Sequence, residues 1–287
     1  MDRWSRERER EMEESGDSRV VLDYGDILLR RGDVLSLMEG EWLNDQVISF
    51  YFEYLKTSSK FSNLLGVELL HTSLVHLISC MPDQDQVDMI LEPLALAQKD
   101  LVFAAVNDSE DTSQPDSGSH WSLLVCERTR GAFSFYHFDS MGDSNRAPAL
   151  ALAAKLRGHL GSGGSLESVS EIPRQTNCHD CGVYVLAVAE AILKEREGSH
   201  DVPCCESFQR ELSAGDGAED LARRVEGMRE DVVKLINRLS LRGRDSSPSS
   251  WFGFVHGERT NKGPGEHERG EPRLPWSSSC SAVGSKP

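Results

Sequence analysis

The chain has 287 residues, with 31 Lys and Arg against 47 Asp and Glu, for a formal net charge of −16. So acidic a protein repels phosphate backbones at long range, which argues against nucleic acid as a partner and for basic surfaces. Hydrophobic residues make up 38% of it, enough for a substantial core, yet no window approaches the roughly 18 to 20 uninterrupted apolar residues of a membrane span.

The opening run, MDRWSRERERE, is charged where a secretory signal would be apolar, so the expected location is the cytosol or nucleus and no membrane partner is expected. Residues 1–19 alternate sign without an apolar face and read as a disordered arm. From residue 242 to 287, 21 of 46 residues are Gly, Pro or Ser, which reads as a disordered tail. Between them, residues 20–241 are the right size for one domain. Seven cysteines, irregularly spaced, make a disulfide framework improbable and leave reduced thiols or a metal site.

Residues 42–56 place Val47, Ile48, Tyr51, Phe52 and Leu55 at helical spacing behind Asn44 and Asp45, predicting an amphipathic helix. Three runs rich in Val, Leu, Phe and Tyr, at 101–106, 121–126 and 133–138, predict neighbouring strands. Residues 181–195 are apolar almost all round and suit a helix buried against that sheet. A last amphipathic helix is expected over about 219–239. Helices and strands cluster instead of alternating strictly, so the expected class is α+β.

Four reactive side chains fall where an element begins or ends. His120 precedes the second predicted strand and Asp139 follows the third. With a turn near Gly131, hairpin pairing brings both to the same end of the sheet, where a carboxylate can fix the imidazole tautomer. Cys181 stands where a polar loop, QTNCHD, becomes the buried helix. Backbone N–H groups at a helix start and a nearby imidazolium both favour thiolate over thiol, and thiolate is the nucleophile. Gln175 can fold back so that its amide and the Cys181 N–H meet an oxyanion, and Gly182 would let a substrate backbone approach.

Each of these residues has an ordinary alternative. A His before a strand is usually a satisfied core or surface residue, an Asp after one is usually a turn former, and a buried Cys is usually inert. The set of four carries the functional reading. A zinc site built from Cys178, His179, Cys181, Cys204 and Cys205 is the competing reading, weakened because adjacent Cys204 and Cys205 are poorly placed for two tetrahedral ligands.

The segments WLND (42–45), HWSLLV (120–125), FYHFDSMG (135–142) and Q-x-N-x-x-D-C-G (175–182) occur in the order His, Asp, Gln, Cys. In both motif and order the chain resembles the Ulp and sentrin-specific cysteine proteases, and LEPLALAQKDLVFAAVND with HFDSMGDSN is most similar to their short deneddylase branch. The resemblance implies a papain-like α+β fold with a central, mostly antiparallel sheet flanked by helices. It implies His120, Asp139 and Cys181 as catalytic residues and Gln175 with the Cys181 N–H as the oxyanion hole. Trp42 and Trp121 would cover a channel that admits only the Gly-Gly tail of a ubiquitin-like modifier, with Gly182 alongside. Without the resemblance Trp42 reads as a helix staple and Trp121 as a core residue. Asp45 would either cap its helix or bind the modifier's basic tail.

The expected function is therefore a thiol protease or isopeptidase that cuts after Gly-Gly of a Nedd/Rub-type modifier and needs no cofactor or metal. Its partners would be that modifier and its protein conjugates. The alternatives are a SUMO-specific or ubiquitin-specific protease of the same family, a module that binds a modifier without cutting it, and an acyl transferase. The acidic loop 107–119 would border the tail channel and adjust which modifier is accepted.

Overall fold

A computed structural model describes residues 17–58, 61, 65–109, 118–198 and 203–242. The arm expected over residues 1–19 lies outside these as far as residue 16, and the tail expected from 242 lies outside from 243; most of the acidic loop, 110–117, does too.

The described chain opens with a hairpin of β1 (Val20–Tyr24) and β2 (Ile27–Arg30), followed by the short α1 (Arg31–Leu35). The helix α2 (Asp45–Thr57) is started by Asn44, whose side chain accepts from the Val47 N–H at 3.1 Å. That bond satisfies one of the N–H groups left without a partner at every helix start. The apolar stripe of α2, Val47 to Leu55, is buried as its spacing predicts.

Five strands form the main sheet in the order β3 (Val67–Leu69), β4 (Leu101–Asn107), β5 (Trp121–Thr129), β6 (Ala132–Phe138) and β7 (Leu166–Val169). The two central pairings, β4 with β5 and β5 with β6, are antiparallel; both edges pair in parallel, so the sheet is mixed. Between β5 and β6 the chain reverses through Arg130 and Gly131, with φ of 52° and 85°. Two consecutive positive φ values match the right-handed twist of the flanking strands, and they fix the register that aligns the far ends of the hairpin.

Helices cover both faces. On one, α3 (Thr72–Cys80), α4 (Gln84–Leu91) and α5 (Arg146–Leu160) pack Ile78, Leu91 and Leu152 against Val102, Leu124 and Phe135 of the strands. On the other lies α6 (Cys181–Gly198), buried along most of its length, with α7 (Cys204–Ser213) and α8 (Asp216–Arg242) outside it. Val183, Val185, Val188 and Ile192 are mediocre helix formers, costing about 0.5 kcal/mol each relative to Ala. Burial of such side chains contributes about 1.5–3 kcal/mol apiece, so packing decides that this segment is a helix. Its first residue is Cys181.

Candidate active site

The register of β5 and β6 pairs Leu123 with Phe138. Asp139 therefore stands one step beyond that pair, and His120 stands just before β5 at the same end of the sheet. Their side chains meet: His120 Nε2 lies 2.6 Å from Asp139 Oδ1, with both residues buried. Asp139 is held by its own loop as well, Oδ1 accepting from the Met141 N–H at 2.9 Å and Oδ2 from the Asn145 N–H at 2.8 Å.

With Nε2 committed to Asp139, the other imidazole nitrogen is left for chemistry. His120 Nδ1 is buried and makes no hydrogen bond of ordinary geometry, although Cys181 is near enough to raise the basicity of the ring. Burial lowers the His120 pKa, but the hydrogen bonds and charges of Asp139 and Cys181 outweigh it and lift it to about 9. For Asp139 burial works upward, and its hydrogen bonds to His120 and to backbone N–H groups hold its carboxyl below the usual range. The imidazolium–carboxylate pair is thus the stable state at neutral pH. A second buried histidine, His137, lies on β6 with Nε2 2.9 Å from Ser122 Oγ; burial pushes it down to about 4, so it stays neutral.

Cys181 is 3% exposed and borders a small cavity with Trp121, Ser140, Ile172 and Tyr184. The loop before it is bonded to itself. Asn177 Oδ1 accepts from the N–H groups of His179 and Asp180, and the Asp180 carbonyl accepts from the Tyr184 N–H to begin α6. Gln175 is oriented at both ends of its amide, Oε1 accepting from Ser140 Oγ at 2.6 Å and Nε2 donating to the Asn177 carbonyl at 2.7 Å.

Trp42 is 45% exposed, so it is not a staple buried against its helix. Trp121 is partly buried, and its Nε1 donates to the Leu43 carbonyl at 3.1 Å. Asp45 is in the first turn of α2, and the capping side chain is that of Asn44 instead. A Cβ on Gly182 would lie 2.8 Å from Leu43 Cβ, so the close approach of Leu43 requires a glycine there.

The zinc constellation is not assembled. Among the described residues, the one group of three or more ligand-type side chains in reach of each other is Glu127, Cys204 and Cys205, without Cys178, His179 or Cys181. Its geometry is that of a helix cap: Glu127 accepts from the Cys204 and Cys205 N–H groups at 2.6 and 3.1 Å, putting a carboxylate at the positive end of α7.

Three buttresses were not singled out from sequence. Asp108 accepts from the N–H groups of Ser119 and His120, the latter at 3.0 Å. Asn145, 1% exposed, donates through Nδ2 to the carbonyls of Val106 and His120, both at 3.1 Å. Arg229 of α8 binds Asp180. Asn145 lies inside the DSMGDSN run that follows the strand, and that polar run just after a strand-ending carboxylate was the available signal.

A thiol at a helix start, an imidazole and a carboxylate on an α+β scaffold define the class of papain-like cysteine peptidases. Residues 41–220 match the Ulp1 protease family, C-terminal catalytic domain, and the chain belongs to that family. It is 41% identical over 177 residues to sentrin-specific protease 8 of Homo sapiens, covering 61% of this chain and 82% of that protein. It is 32% identical over 236 residues to NEDD8-specific protease 1 of Arabidopsis thaliana, covering 79% and 97%. A crystal structure of a de-sumoylating protease superimposes with a TM-score of 0.60 at 16% identity, over 77% of this chain and 91% of that one, a likeness of fold. The protein is a cysteine peptidase.

Proposed function

We propose that this protein removes and matures a ubiquitin-like modifier of the Nedd/Rub type by cutting after its C-terminal Gly-Gly. The observation that carries the chemistry is the buried 2.6 Å pair of His120 and Asp139, beside a cysteine that opens a helix. The choice of modifier rests on the relatives, two of which are named for sentrin or NEDD8.

His120 as imidazolium holds at Nδ1 the proton that Cys181 has given up, and the thiolate facing it attacks the glycine carbonyl. The oxyanion is met by the Cys181 N–H and by the second N–H of the Gln175 amide, the first being held by Asn177. His120 then protonates the leaving amine, Asp139 keeps the ring aligned, and water hydrolyses the thioester to release the modifier. Trp42, partly exposed, and Trp121 cover the tail, since flat indoles leave room for glycines but not for larger side chains. Asp45, partly buried in the first turn of α2, is the group for the modifier's basic tail. Residues 20–241 constitute the protease domain, acting on conjugates in the cytosol or nucleus.

The test is a panel of Nedd/Rub, SUMO and ubiquitin, each with a C-terminal propargyl trap, read as a mass shift on wild type and Cys181→Ala. A shift with the Nedd/Rub trap, lost in the variant, is expected. A shift with SUMO or ubiquitin alone would reassign the modifier, and none with any trap, on folded protein, would sink the protease reading for these three modifiers.

A further inference from the structure

Arg229 stands on α8, about fifty residues beyond the nucleophile, and its hydrogen bonds converge on the two chain segments that frame the site. Nε and Nη2 donate to Asp180 Oδ1 at 3.1 and 2.8 Å. Nη2 also donates to the carbonyls of His179 and Glu41 at 3.0 and 2.8 Å. Nη1 donates to the carbonyls of Ser36 and Met38 at 3.0 and 3.1 Å. The side chain is 14% exposed, which strengthens these bonds relative to a surface pair. Burial would raise the Asp180 pKa, but Asn177 and Arg229 hold the carboxyl below its usual range, so the ion pair persists at neutral pH.

What it holds matters. Asp180 immediately precedes Cys181, and Glu41 immediately precedes Trp42. One planar guanidinium therefore ties the residue before the nucleophile to the residue before the exposed indole. On the other side of Trp42, Leu43 is fixed by Trp121 Nε1 and by its close packing on Gly182. Trp42 sits between two anchored neighbours and is itself 45% exposed, so its backbone position is set by those neighbours.

We infer that Arg229 is a positioning residue for the modifier's tail: by binding Asp180 and the 36–41 segment together, it sets the spacing between Trp42 and the N-terminus of α6. The inference rests on the protease reading above. Arg suits the task because its fork serves carboxylate and carbonyls in one plane, whereas a lysine ammonium can reach Asp180 but cannot satisfy the carbonyls in that geometry.

The experiment compares wild type, Arg229→Lys, Trp42→Ala and the double variant. Each is assayed in steady state with a Nedd/Rub modifier carrying a fluorogenic C-terminal leaving group, and by the rate at which chloroacetamide, which has no tail, alkylates Cys181. For Arg229→Lys the expected result is a KM raised about tenfold or more with little change in kcat, because misplacing a positioning group by about 1 Å costs up to about 10²-fold. Alkylation should stay near the wild-type rate. In the Trp42→Ala background the lysine substitution should add nothing further to KM, since both act through one indole.

A merely structural role predicts the opposite pattern: fewer active molecules, hence lower apparent kcat and lower alkylation amplitude at unchanged KM. That result, or full additivity of the two substitutions, would overturn the inference. Wild type that cleaves none of the modifiers in the panel above would remove the protease reading itself, a failure distinct from a cleaving enzyme whose Arg229→Lys variant keeps the wild-type KM.

Discussion

Trp121 Nε1 donates to the carbonyl oxygen of Leu43 at 3.1 Å, so the residue after His120 holds the residue after Trp42. This bond joins the two segments proposed to close over the modifier's tail. Trp121→Phe keeps a flat ring and removes the donor. The expected outcome is a several-fold rise in KM for a modifier substrate and a stability loss of about 1 kcal/mol, the typical worth of such a bond. Unchanged KM in the folded variant would detach the Trp121–Leu43 bond from tail binding.

The pKa of His120 gives a pH dependence with a definite sign. Burial pulls it down, Asp139 and Cys181 pull it up, and it settles at about 9 against an ordinary 6.5. A value raised by folding means stability that is fully present below 6.5 and lost as pH rises through about 9. Asp139, shifted down, adds stability that is present above its ordinary 3.8 and lost as pH falls through its folded value. The stability advantage of wild type over His120→Gln, measured by urea midpoint, should therefore shrink on the alkaline side. The alkaline limb of kcat/KM should fall near the same pH, because the proton for the leaving amine is gone. Asp139→Asn should move that limb to lower pH and cost on the order of 10²–10⁴ in kcat/KM; an unmoved limb would mean that Asp139 does not set the ring's charge.

Asn145 ties three strand ends together, donating to Val106 and His120 through its side chain and to Asp139 through its backbone. Asn145→Ala removes a donor from each of two carbonyls of buried residues, each bond worth about 0.5–1.5 kcal/mol. A fall in denaturant midpoint is expected together with a drop in kcat, since the backbone of His120 is released at the same time. A variant that loses stability yet keeps full kcat would show that the other bonds to His120 suffice.

Glu127 is a buried carboxylate whose work is architectural. Glu127→Gln removes the charge from the start of α7 and sets an amide N–H against backbone donors, with an expected loss of about 1–3 kcal/mol. Cleavage per folded molecule should be unchanged. Zinc added at equimolar amount should not stabilise wild type in thermal melts; a rise in Tm that disappears in Glu127→Gln would make the Glu127, Cys204 and Cys205 group a metal site instead of a cap.

Long periodic segments were legible in the sequence because their burial is one-sided or complete. The stripe of α2, the strands β4 to β6 and the all-apolar α6 all occur where the pattern put them, within three residues at each end. The edge strands β3 and β7 were not, since three and four residues give no period to read and their pairing comes from partners elsewhere in the chain. The roles of single residues divide in the same way. His120 and Asp139 could be aligned by counting outward from Gly131, because a two-residue turn fixes register locally. The close approach of Leu43 to Gly182 could not, because the two are 139 positions apart and nothing in either residue's surroundings announces the contact. Arg229 was hidden for a related reason. On an amphipathic helix an arginine reads as solvated surface, and only the docked helix shows the carbonyls it serves.

The hairpin of β5 and β6 also bears on the order in which the site comes into being. His120 and Asp139 are brought together by a tight local reversal, a motif that closes in microseconds, whereas Cys181 must arrive on a helix whose anchors come from residues as far apart as Leu43 and Arg229. Pairing His120 with Asp139 needs only the hairpin, whereas bringing Cys181 to them needs the packed helix. A chain still folding, or one locally opened at the helix start, carries an ordinary thiol with no imidazole against it, so the hydrolytic power of the molecule is itself a product of completed folding.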